Sequence, residues 1–322
     1  MNIAALEEKI QQIKSSNPEP TCHYAAKEKT TQDIINAVNG AIDNRYSVCD
    51  SPGDCSTLRN QGMLNLGPLL TQEQLDDIDE FLFDKRVYNS HVPYGDGTPR
   101  ILKESTDHFP FSCYSPADVI ACPHLLEVAL DSRILGLVSD YLKCLPTLYS
   151  MNMWWSVPHP KTGGIKQWHR DYDDFKFLAL FIYLRDVDEE TGPHVFVRFT
   201  HDQQVFADRK NLALDDPAVR SIFPPSPDTT LLASENLFAD DINILTGSAG
   251  DAYLLDTYGV HKGSERLNKF RLVLWLRYGL HRNGPSMAQI PKPFSLDLVK
   301  GKDIDFDPTM QYVTRILLDH NA

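Results

Sequence analysis

A histidine and an aspartate two residues apart have the residue types and spacing to bind a metal ion. In residues 166–172 (KQWHRDY), His169 and Asp171 flank a single arginine. On an extended chain, alternate side chains point to the same side of the strand, so these two would face the same way. His261, supplied by a later strand, would complete a set of two imidazoles and one carboxylate. With open positions opposite, this is the ligand set of non-haem Fe(II) oxygenases.

An arginine follows the last of these residues at a spacing that suits the binding of an acidic co-substrate. Arg271 lies ten residues after His261, on the next predicted strand. Its guanidinium can hold a carboxylate through two parallel hydrogen bonds. A hydrolase or isomerase that uses the same ligands with Zn²⁺ or Mn²⁺ has no need of this arginine. A catalytically silent binding module has no need of the three ligands.

The surrounding sequence makes this motif more specific than His-x-Asp alone, which is weak in a chain with 11 histidines and 44 acidic residues. Residues 175–185 (FKFLALFIYLR) form an almost uninterrupted apolar run that is typical of a buried strand. A turn at residues 191–193 (TGP) leads into a second predicted strand over residues 194–199. Further strands are predicted before His261, from residue 250, and after it, over residues 270–278.

Together these motifs resemble the phytanoyl-CoA dioxygenase family of Fe(II)/2-oxoglutarate-dependent oxygenases. The matching segments span about residues 62–280 and include residues 67–74 (GPLLTQEQ), 167–171 (QWHRD) and 188–193 (DEETGP), then His201, His261 and Arg271. The resemblance implies a mainly β fold with peripheral helices around a double-stranded β-helix (jelly-roll, cupin-like) core. It also implies that His169, Asp171 and His261 bind Fe(II) and that Arg271 binds the distal carboxylate of 2-oxoglutarate.

The activity that the resemblance implies is oxidation of an unactivated C–H bond in a small polar metabolite. Fe(II) is the cofactor, 2-oxoglutarate and O₂ are consumed, and succinate and CO₂ are the co-products. Asp171 favours hydroxylation, because family members with Gly or Ala at this position bind chloride there and halogenate. Desaturation, epimerisation, cyclisation and hydroxylation of a sugar or lipid-linked sugar stay open as alternatives, and the sequence does not identify the substrate.

Three further residues are candidates for contacts with 2-oxoglutarate. Gln167 would share a strand face with the metal ligands, so its amide either binds the metal-chelating carboxylate or lies at the surface. Phe181 matches a position where family members place an aromatic ring beside the co-substrate, and core packing is its alternative. Ser264, three residues after His261, is the third candidate.

Two residues are candidates for contact with the substrate. The first is Arg277, which alternation along the strand places, with Trp275, on the same side as Arg271. A charged side chain inside an apolar barrel is costly unless it is paired, so Arg277 either meets the substrate or forms an ion pair. Of the adjacent Trp154 and Trp155, one must point inward, and Trp155 is our candidate.

Other histidines are not predicted to be metal ligands. His159 and His194 lie beside prolines and have no carboxylate at the two-residue spacing. His201 is followed directly by Asp202, and adjacent residues on a strand point to opposite faces.

The composition is consistent with one large hydrophobic core and with a small-molecule substrate. The 322 residues are 42% hydrophobic and carry a formal net charge of −13, which opposes nucleic-acid binding. No segment has transmembrane length or the features of a secretory signal, so we expect a cytoplasmic enzyme with no membrane partner. Six irregularly spaced cysteines favour free thiols, although Cys49 and Cys55 have a spacing that allows a disulfide. Oligomeric state is not indicated.

We expect residues 1–60 to be a helical and loop extension packed on a dioxygenase domain of residues 61–322. Apolar spacing predicts a helix over residues 2–14. Thr71 and Gln74 form a capping box that predicts the start of another helix. Residues 202–246 are a long polar connection, which together with residues 92–111 is predicted to form a mobile lid over the substrate.

Overall fold

The computed structural model describes residues 3–16, 24–46, 50–89, 111–158, 167–223, 235–264, 268–281 and 292–320. The strands are β1 Met63–Pro68, β2 Val87–Asn89, β3 Phe111–Tyr114, β4 Thr147–Ser156, β5 Phe177–Tyr183, β6 His194–Val197, β7 Ile242–Leu245, β8 Asp251–Leu255, β9 His261–Gly263, β10 Arg271–Gly279, β11 Phe294–Ser295 and β12 Leu318–Asp319. The helices are α1 Ile3–Ser15, α2 Tyr24–Ala41, α3 Pro52–Gln61, α4 Gln72–Leu82, α5 Pro116–Ala121, α6 Leu125–Ala129, α7 Ser132–Leu142, α8 Gln203–Lys210, α9 Pro217–Ile222, α10 Glu235–Phe238 and α11 Pro308–Thr314.

Two antiparallel sheets form the core of the fold. The larger has the strand order β1-β8-β5-β10-β4-β3-β2, and the smaller has the order β7-β6-β9. The chain passes from β5 in the larger sheet to β6 and β7 in the smaller one, back to β8, across to β9 and back to β10. This exchange between two sheets is the topology of a double-stranded β-helix, so the predicted fold class is confirmed.

Strand β5 is apolar throughout, and both of its faces are buried. On β5, Leu178, Leu180 and Ile182 pack toward the helices that cover the larger sheet. Ala179 and Phe181 point the other way, into the space between the two sheets. Alternation therefore places every second residue of β5 on the inner face, where the candidate site lies.

The helices before β1 lie against the outside of the larger sheet. Glu7 of α1 accepts hydrogen bonds from Arg315 Nε at 2.5 Å and contacts His281 Nε2 at 2.7 Å. Burial raises the pKa of Glu7, but the hydrogen bonds and charges of His281 and Arg315 outweigh burial and lower it to about 2. This cluster ties the first helix to the chain following β10 and to α11.

The predicted start of α4 is confirmed in detail. Thr71 is the N-cap, its side chain accepts a hydrogen bond from the Gln74 backbone, and the Gln74 side chain accepts one from the Thr71 backbone. Two of the four free N–H groups at this helix terminus are thereby satisfied.

The connection after His201 differs from the expected loop. Its described part, residues 202–223 and 235–241, contains α8, α9 and α10. These helices share an apolar cluster that includes Phe206, Val219 and Phe238 together with Val260 beside β9. Burial of these side chains stabilises the segment as part of the fold. Nearly all of the other predicted lid segment, residues 92–110, lies outside the described residues.

The cysteines also depart in part from expectation. Cys113, Cys122 and Cys144 are buried free thiols. Cys55 of α3 is disulfide-bonded, and its partner lies outside the described residues. The sequence favoured free thiols and left a disulfide between Cys49 and Cys55 open. No helix in the described ranges is long and apolar enough to cross a membrane.

Candidate metal centre

Backbone pairing brings the two histidines of the predicted site together. His169 N donates to His261 O at 2.9 Å, and His261 N donates to His169 O at 3.0 Å. The two residues therefore form an antiparallel bridge across the start of β9, and their ring centroids are 4.2 Å apart. Strand pairing, rather than side-chain contact alone, sets this geometry.

Hydrogen bonds to the backbone orient both imidazoles. His169 Nδ1 lies 2.8 Å from the Gln167 carbonyl, and His261 Nδ1 lies 2.9 Å from the Gly259 carbonyl. A carbonyl only accepts, so each Nδ1 carries the proton and each Nε2 presents its lone pair. Such an outer hydrogen bond is the usual support of a metal-binding histidine.

Asp171 completes the group. Its Oδ1 is 3.9 Å from His169 Nε2, and its Oδ2 is 3.7 Å from His261 Nε2. Its backbone is held by a 2.9 Å hydrogen bond from Asp171 N to Thr257 O, and Oδ2 is buried with no hydrogen-bond partner among the described residues. One ligand atom from each of the three residues lies within 4.8 Å of the others, and this is the candidate metal-binding group found in the described ranges. An unpaired buried carboxylate oxygen beside two imidazole lone pairs suits a divalent cation.

The electrostatic surroundings keep the buried histidine neutral, as a metal ligand must be. Burial lowers the pKa of His261 well below its usual value, and the neighbouring His169 lowers it further. Arg170, between the candidate ligands His169 and Asp171 in sequence, points away from the site. Its Nη1 donates to the Tyr258 carbonyl at 2.5 Å, and its guanidinium lies 4.6 Å from the Phe223 ring centroid. Through these contacts, Arg170 anchors residues 169–171 to Tyr258 and Phe223 on the side away from the cavity.

Arg271 lies in the same cavity with no carboxylate partner among the described residues. Its guanidinium donates to the Gly192 carbonyl through Nη1 and to Ser156 Oγ through Nη2 at 3.1 Å. Its Nε is buried and makes no hydrogen bond within the described part of the chain. Burial lowers the pKa of Arg271. A buried guanidinium with spare donor capacity suits an anionic ligand.

One cavity of about 240 Å³ joins these groups. Residues from both sheets line it, and β10 contributes alternate residues as predicted. The lining consists of Trp154, His169, Asp171, Asp173, Phe181, Tyr183, His194, His261, Gly263, Arg271, Val273, Trp275 and Arg277.

Arg277 forms the ion pair that was one of its two predicted roles, and it also lines the cavity; its contact with a substrate stays a prediction. Its Nε is 3.0 Å from Asp173 Oδ2, and its guanidinium lies 3.5 Å from the Trp275 ring centroid. Burial raises the pKa of Asp173 to about 6, against the opposing effect of Arg277. The cavity therefore has a charged pair on its wall in addition to Arg271.

The three candidate co-substrate residues occupy different environments. Phe181 lines the cavity and stacks on Trp275, with ring centroids 5.4 Å apart and an interplanar angle of 16°. Gln167 is exposed and does not line the cavity, and the contact it makes with the site is through its carbonyl. Ser264 is half-buried outside the cavity lining, and its backbone N–H donates to the Pro193 carbonyl at 2.8 Å.

The choice between the adjacent tryptophans is corrected. Trp154 lines the cavity, whereas Trp155 lies on the opposite face of β4 and its Nε1 donates to Tyr114 OH at 3.1 Å. The pairing of Ser156 with Arg271 in the β4–β10 ladder decides the matter, because every second residue back from Ser156 then faces inward.

His194 is a cavity residue that the sequence reasoning missed. Its ring is stacked on that of His261, with centroids 5.1 Å apart at 15°, and it lies 4.8 Å from Phe181. His194 has no carboxylate at metal-ligand spacing in the sequence. It reaches the cavity only because β6 pairs with β9. His201 is elsewhere, with Nε2 3.0 Å from the Arg59 carbonyl, and His159 lies outside the described residues.

Comparisons with known proteins give structural neighbours only. No protein-family model and no curated protein sequence matches the chain. EctD from S. alaskensis, solved with 2-oxoglutarate and 5-hydroxyectoine, is 16% identical over 81% of this chain and 86% of its own, with a TM-score of 0.49. HygX from Streptomyces hygroscopicus, solved with nickel and 2-oxoglutarate, is 17% identical over 70% and 86%, with a TM-score of 0.44.

A third neighbour is SnoN, a non-haem α-ketoglutarate-dependent epimerase from nogalamycin biosynthesis. It is 16% identical over 70% of this chain and 82% of its own, with a TM-score of 0.46. At these identities and TM-scores, the ligands and reactions of the neighbours are not transferred to this protein. We therefore base the proposed function on the residues of this chain.

Proposed function

We propose that this protein is a non-haem Fe(II)/2-oxoglutarate-dependent dioxygenase that resembles the phytanoyl-CoA dioxygenase family. The observation that carries the proposal is one cavity containing both a two-histidine, one-carboxylate group and Arg271, a buried guanidinium with no carboxylate partner among the described residues. A metal site alone fits many activities. The positively charged guanidinium of Arg271 in the same cavity fits an enzyme whose co-substrate is a dicarboxylate.

The residues fit both groups that this activity requires. His169, Asp171 and His261 would hold Fe(II) through two Nε2 atoms and a carboxylate oxygen. Arg271 would hold the distal carboxylate of 2-oxoglutarate, with Ser156 and the Gly192 carbonyl fixing the guanidinium. We assign these roles to the dioxygenase domain of residues 61–322, with residues 1–60 as its extension.

The protein contributes orientation and exclusion of water. When bound, Fe(II) with 2-oxoglutarate and O₂ supplies the oxidant for an unactivated C–H bond, with succinate and CO₂ as co-products. Asp171 keeps a carboxylate in the ligand set, which favours hydroxylation. The rings of Phe181, Trp154 and Trp275 wall the cavity, limiting solvent access and restricting how a substrate approaches the metal.

The wall formed by Trp275, Asp173 and Arg277 favours a small polar substrate. A guanidinium and a carboxylate 3.0 Å apart offer both donors and acceptors to hydroxyl, amide or zwitterionic groups. The cavity volume of about 240 Å³ favours a metabolite, or one ring of a larger molecule, over a long acyl chain. Hydroxylation is the proposed outcome; desaturation, epimerisation and cyclisation use the same residues.

Succinate formation tests the proposal. Purified protein with Fe(II), 2-oxoglutarate and air is expected to release succinate, and a panel of polar metabolites is expected to include compounds that increase the rate. Omission of iron is the control for non-enzymatic loss of 2-oxoglutarate. Absence of both succinate above this control and metal-dependent 2-oxoglutarate binding would refute the assignment.

A further inference from the structure

His194 occupies a position between the candidate metal ligands and Arg271. Its ring stacks on that of His261 on one side. Two residues earlier in the chain, the Gly192 carbonyl accepts a hydrogen bond from Arg271 Nη1. His194 itself lines the same cavity, beside Phe181. A molecule that bridges the metal and Arg271 would pass along this imidazole.

The ring of His194 has an unmet hydrogen-bonding requirement. Its Nε2 is buried and has no hydrogen-bond partner among the described residues. The metal-site histidines differ, since each has Nδ1 against a backbone carbonyl. A buried polar atom without a partner is destabilising, and an apolar side chain would pack against Phe181 at less cost. A histidine here therefore points to a polar ligand in the cavity.

The charges around His194 indicate the type of ligand. The basic groups whose charges act on His194 are His261, Arg271 and His169, and Asp173 with Arg277 forms a separate pair. A neutral imidazole beside a guanidinium can donate one N–H to a shared anion. The carboxylates of a dicarboxylate held at the metal and at Arg271 are such acceptors.

We infer that His194 binds the co-substrate by donating a hydrogen bond from Nε2 to a carboxylate oxygen of 2-oxoglutarate. This inference rests on the proposed function, because it assigns one more contact to the same co-substrate. His194 is a binding residue here and not a fourth metal ligand, because the group of converging ligand atoms consists of His169, Asp171 and His261.

Substitutions can separate hydrogen bonding from ring packing. His194→Phe keeps an aromatic ring against His261 and removes both nitrogens, and His194→Leu serves the same purpose should the Phe variant not fold. His194→Gln keeps a polar donor. The matched control is His201→Gln, which alters a buried histidine that contacts the Arg59 carbonyl and lies outside this cavity.

The experiment measures 2-oxoglutarate affinity by anaerobic calorimetry with Fe(II) present, together with the visible charge-transfer band of the Fe(II)–2-oxoglutarate complex. We expect His194→Phe to weaken 2-oxoglutarate binding at least tenfold and to alter the band, with Fe(II) affinity unchanged. His194→Gln should recover most of the affinity, and His201→Gln should match the wild type. The apo Phe variant should be no less thermostable than the wild type, because it no longer buries an unpaired nitrogen.

The outcomes distinguish this inference from the proposed function. Failure of the wild type to bind 2-oxoglutarate in the presence of metal would overturn the proposed function, and with it this contact. Wild-type binding with a Phe or Leu variant within twofold of it would overturn only the role of His194. A parallel loss of Fe(II) affinity would also overturn it, since His194 would then act by packing on His261.

Discussion

His261 is the proposed metal ligand whose environment is most fully determined by the fold. It is buried, its Nδ1 is engaged with the Gly259 carbonyl, and its backbone pairs with His169. Replacing it would therefore remove a proposed ligand while the backbone pairing is kept. The same reasoning applies to Arg271, which is held by Ser156 and Gly192 and retains spare donors.

We expect His261→Ala to abolish 2-oxoglutarate-dependent succinate formation and to weaken Fe(II) binding strongly. Unfolding should remain cooperative, because the strand backbone carries the pairing between residues 169 and 261. Metal content after dialysis, succinate assays and thermal unfolding measure the three effects, with His201→Gln as the control. Turnover retained at saturating iron would contradict the assignment.

Arg271→Ala is expected to weaken 2-oxoglutarate binding by about 2–5 kcal/mol, the usual cost of removing one partner of a buried charged pair. Fe(II) affinity should change little, since Arg271 does not contact the ligand group. Calorimetric titration gives both values. Arg277→Gln is the matched control on the same strand. If only the Arg277 variant lost affinity, the distal carboxylate would be bound there instead.

Helix α1 depends on a titratable contact for its docking to the rest of the fold. Glu7 meets His281 and Arg315, and its pKa is lowered to about 2 from the ordinary 4.5. A carboxyl whose folded-state pKa is lowered stabilises the fold above its unfolded pKa, and this contribution is lost as pH falls toward the folded value. The relevant window is therefore from about pH 4.5 down to about 2.

We expect Glu7→Gln to lower the free energy of unfolding at pH 7 and to flatten its dependence on pH below 4.5. The wild type should lose stability across that range, and the variant should lose less. Urea unfolding at a series of pH values measures this, with the neighbouring exposed Glu8→Gln as control. Identical pH profiles for wild type and the Glu7 variant would show that the contact does not stabilise docking of α1.

The capping box of α4 is a local contact whose contribution to the free energy of unfolding can be predicted separately. Thr71→Ala removes the side-chain acceptor for the Gln74 N–H and should cost about 1 kcal/mol of stability. Thr71→Ser retains the hydroxyl and should cost much less. Chemical denaturation of the three proteins tests the difference, and equal loss in both variants would mean that the methyl group, rather than the cap, is responsible.

The cavity lies between the two sheets, so its ligands should stabilise the molecule as a whole. A ligand at about 100 times its dissociation constant adds about 2.7 kcal/mol to the folded state. We expect the melting temperature to rise more with Fe(II) and 2-oxoglutarate together than with either alone, and the increment from 2-oxoglutarate to disappear in Arg271→Ala. Anaerobic calorimetric melting curves measure it. An equal increment in that variant would place 2-oxoglutarate away from Arg271.

Local patterns in the sequence were enough to predict the central strands, the start of α4 and the cavity face of β10, but not the helices α8, α9 and α10. The apolar run over residues 175–185 and the capping box at Thr71 depend on neighbours within a few positions. Alternation from Arg271 to Arg277 likewise follows from the two-residue period of a strand. His169, Asp171 and His261 could be proposed together because their chemistry is distinctive, and the structure brings them to one point.

Only the tertiary structure decided how these local elements face one another. Two adjacent tryptophans on β4 are equally suited to an inner face, so the choice of Trp154 over Trp155 required the register that pairs Ser156 with Arg271. His194 entered the cavity through the pairing of β6 with β9, and its neighbour His261 is 67 positions away in the chain. Strand register and sheet pairing join residues distant in sequence, and a one-residue slip would turn every side chain to the other face.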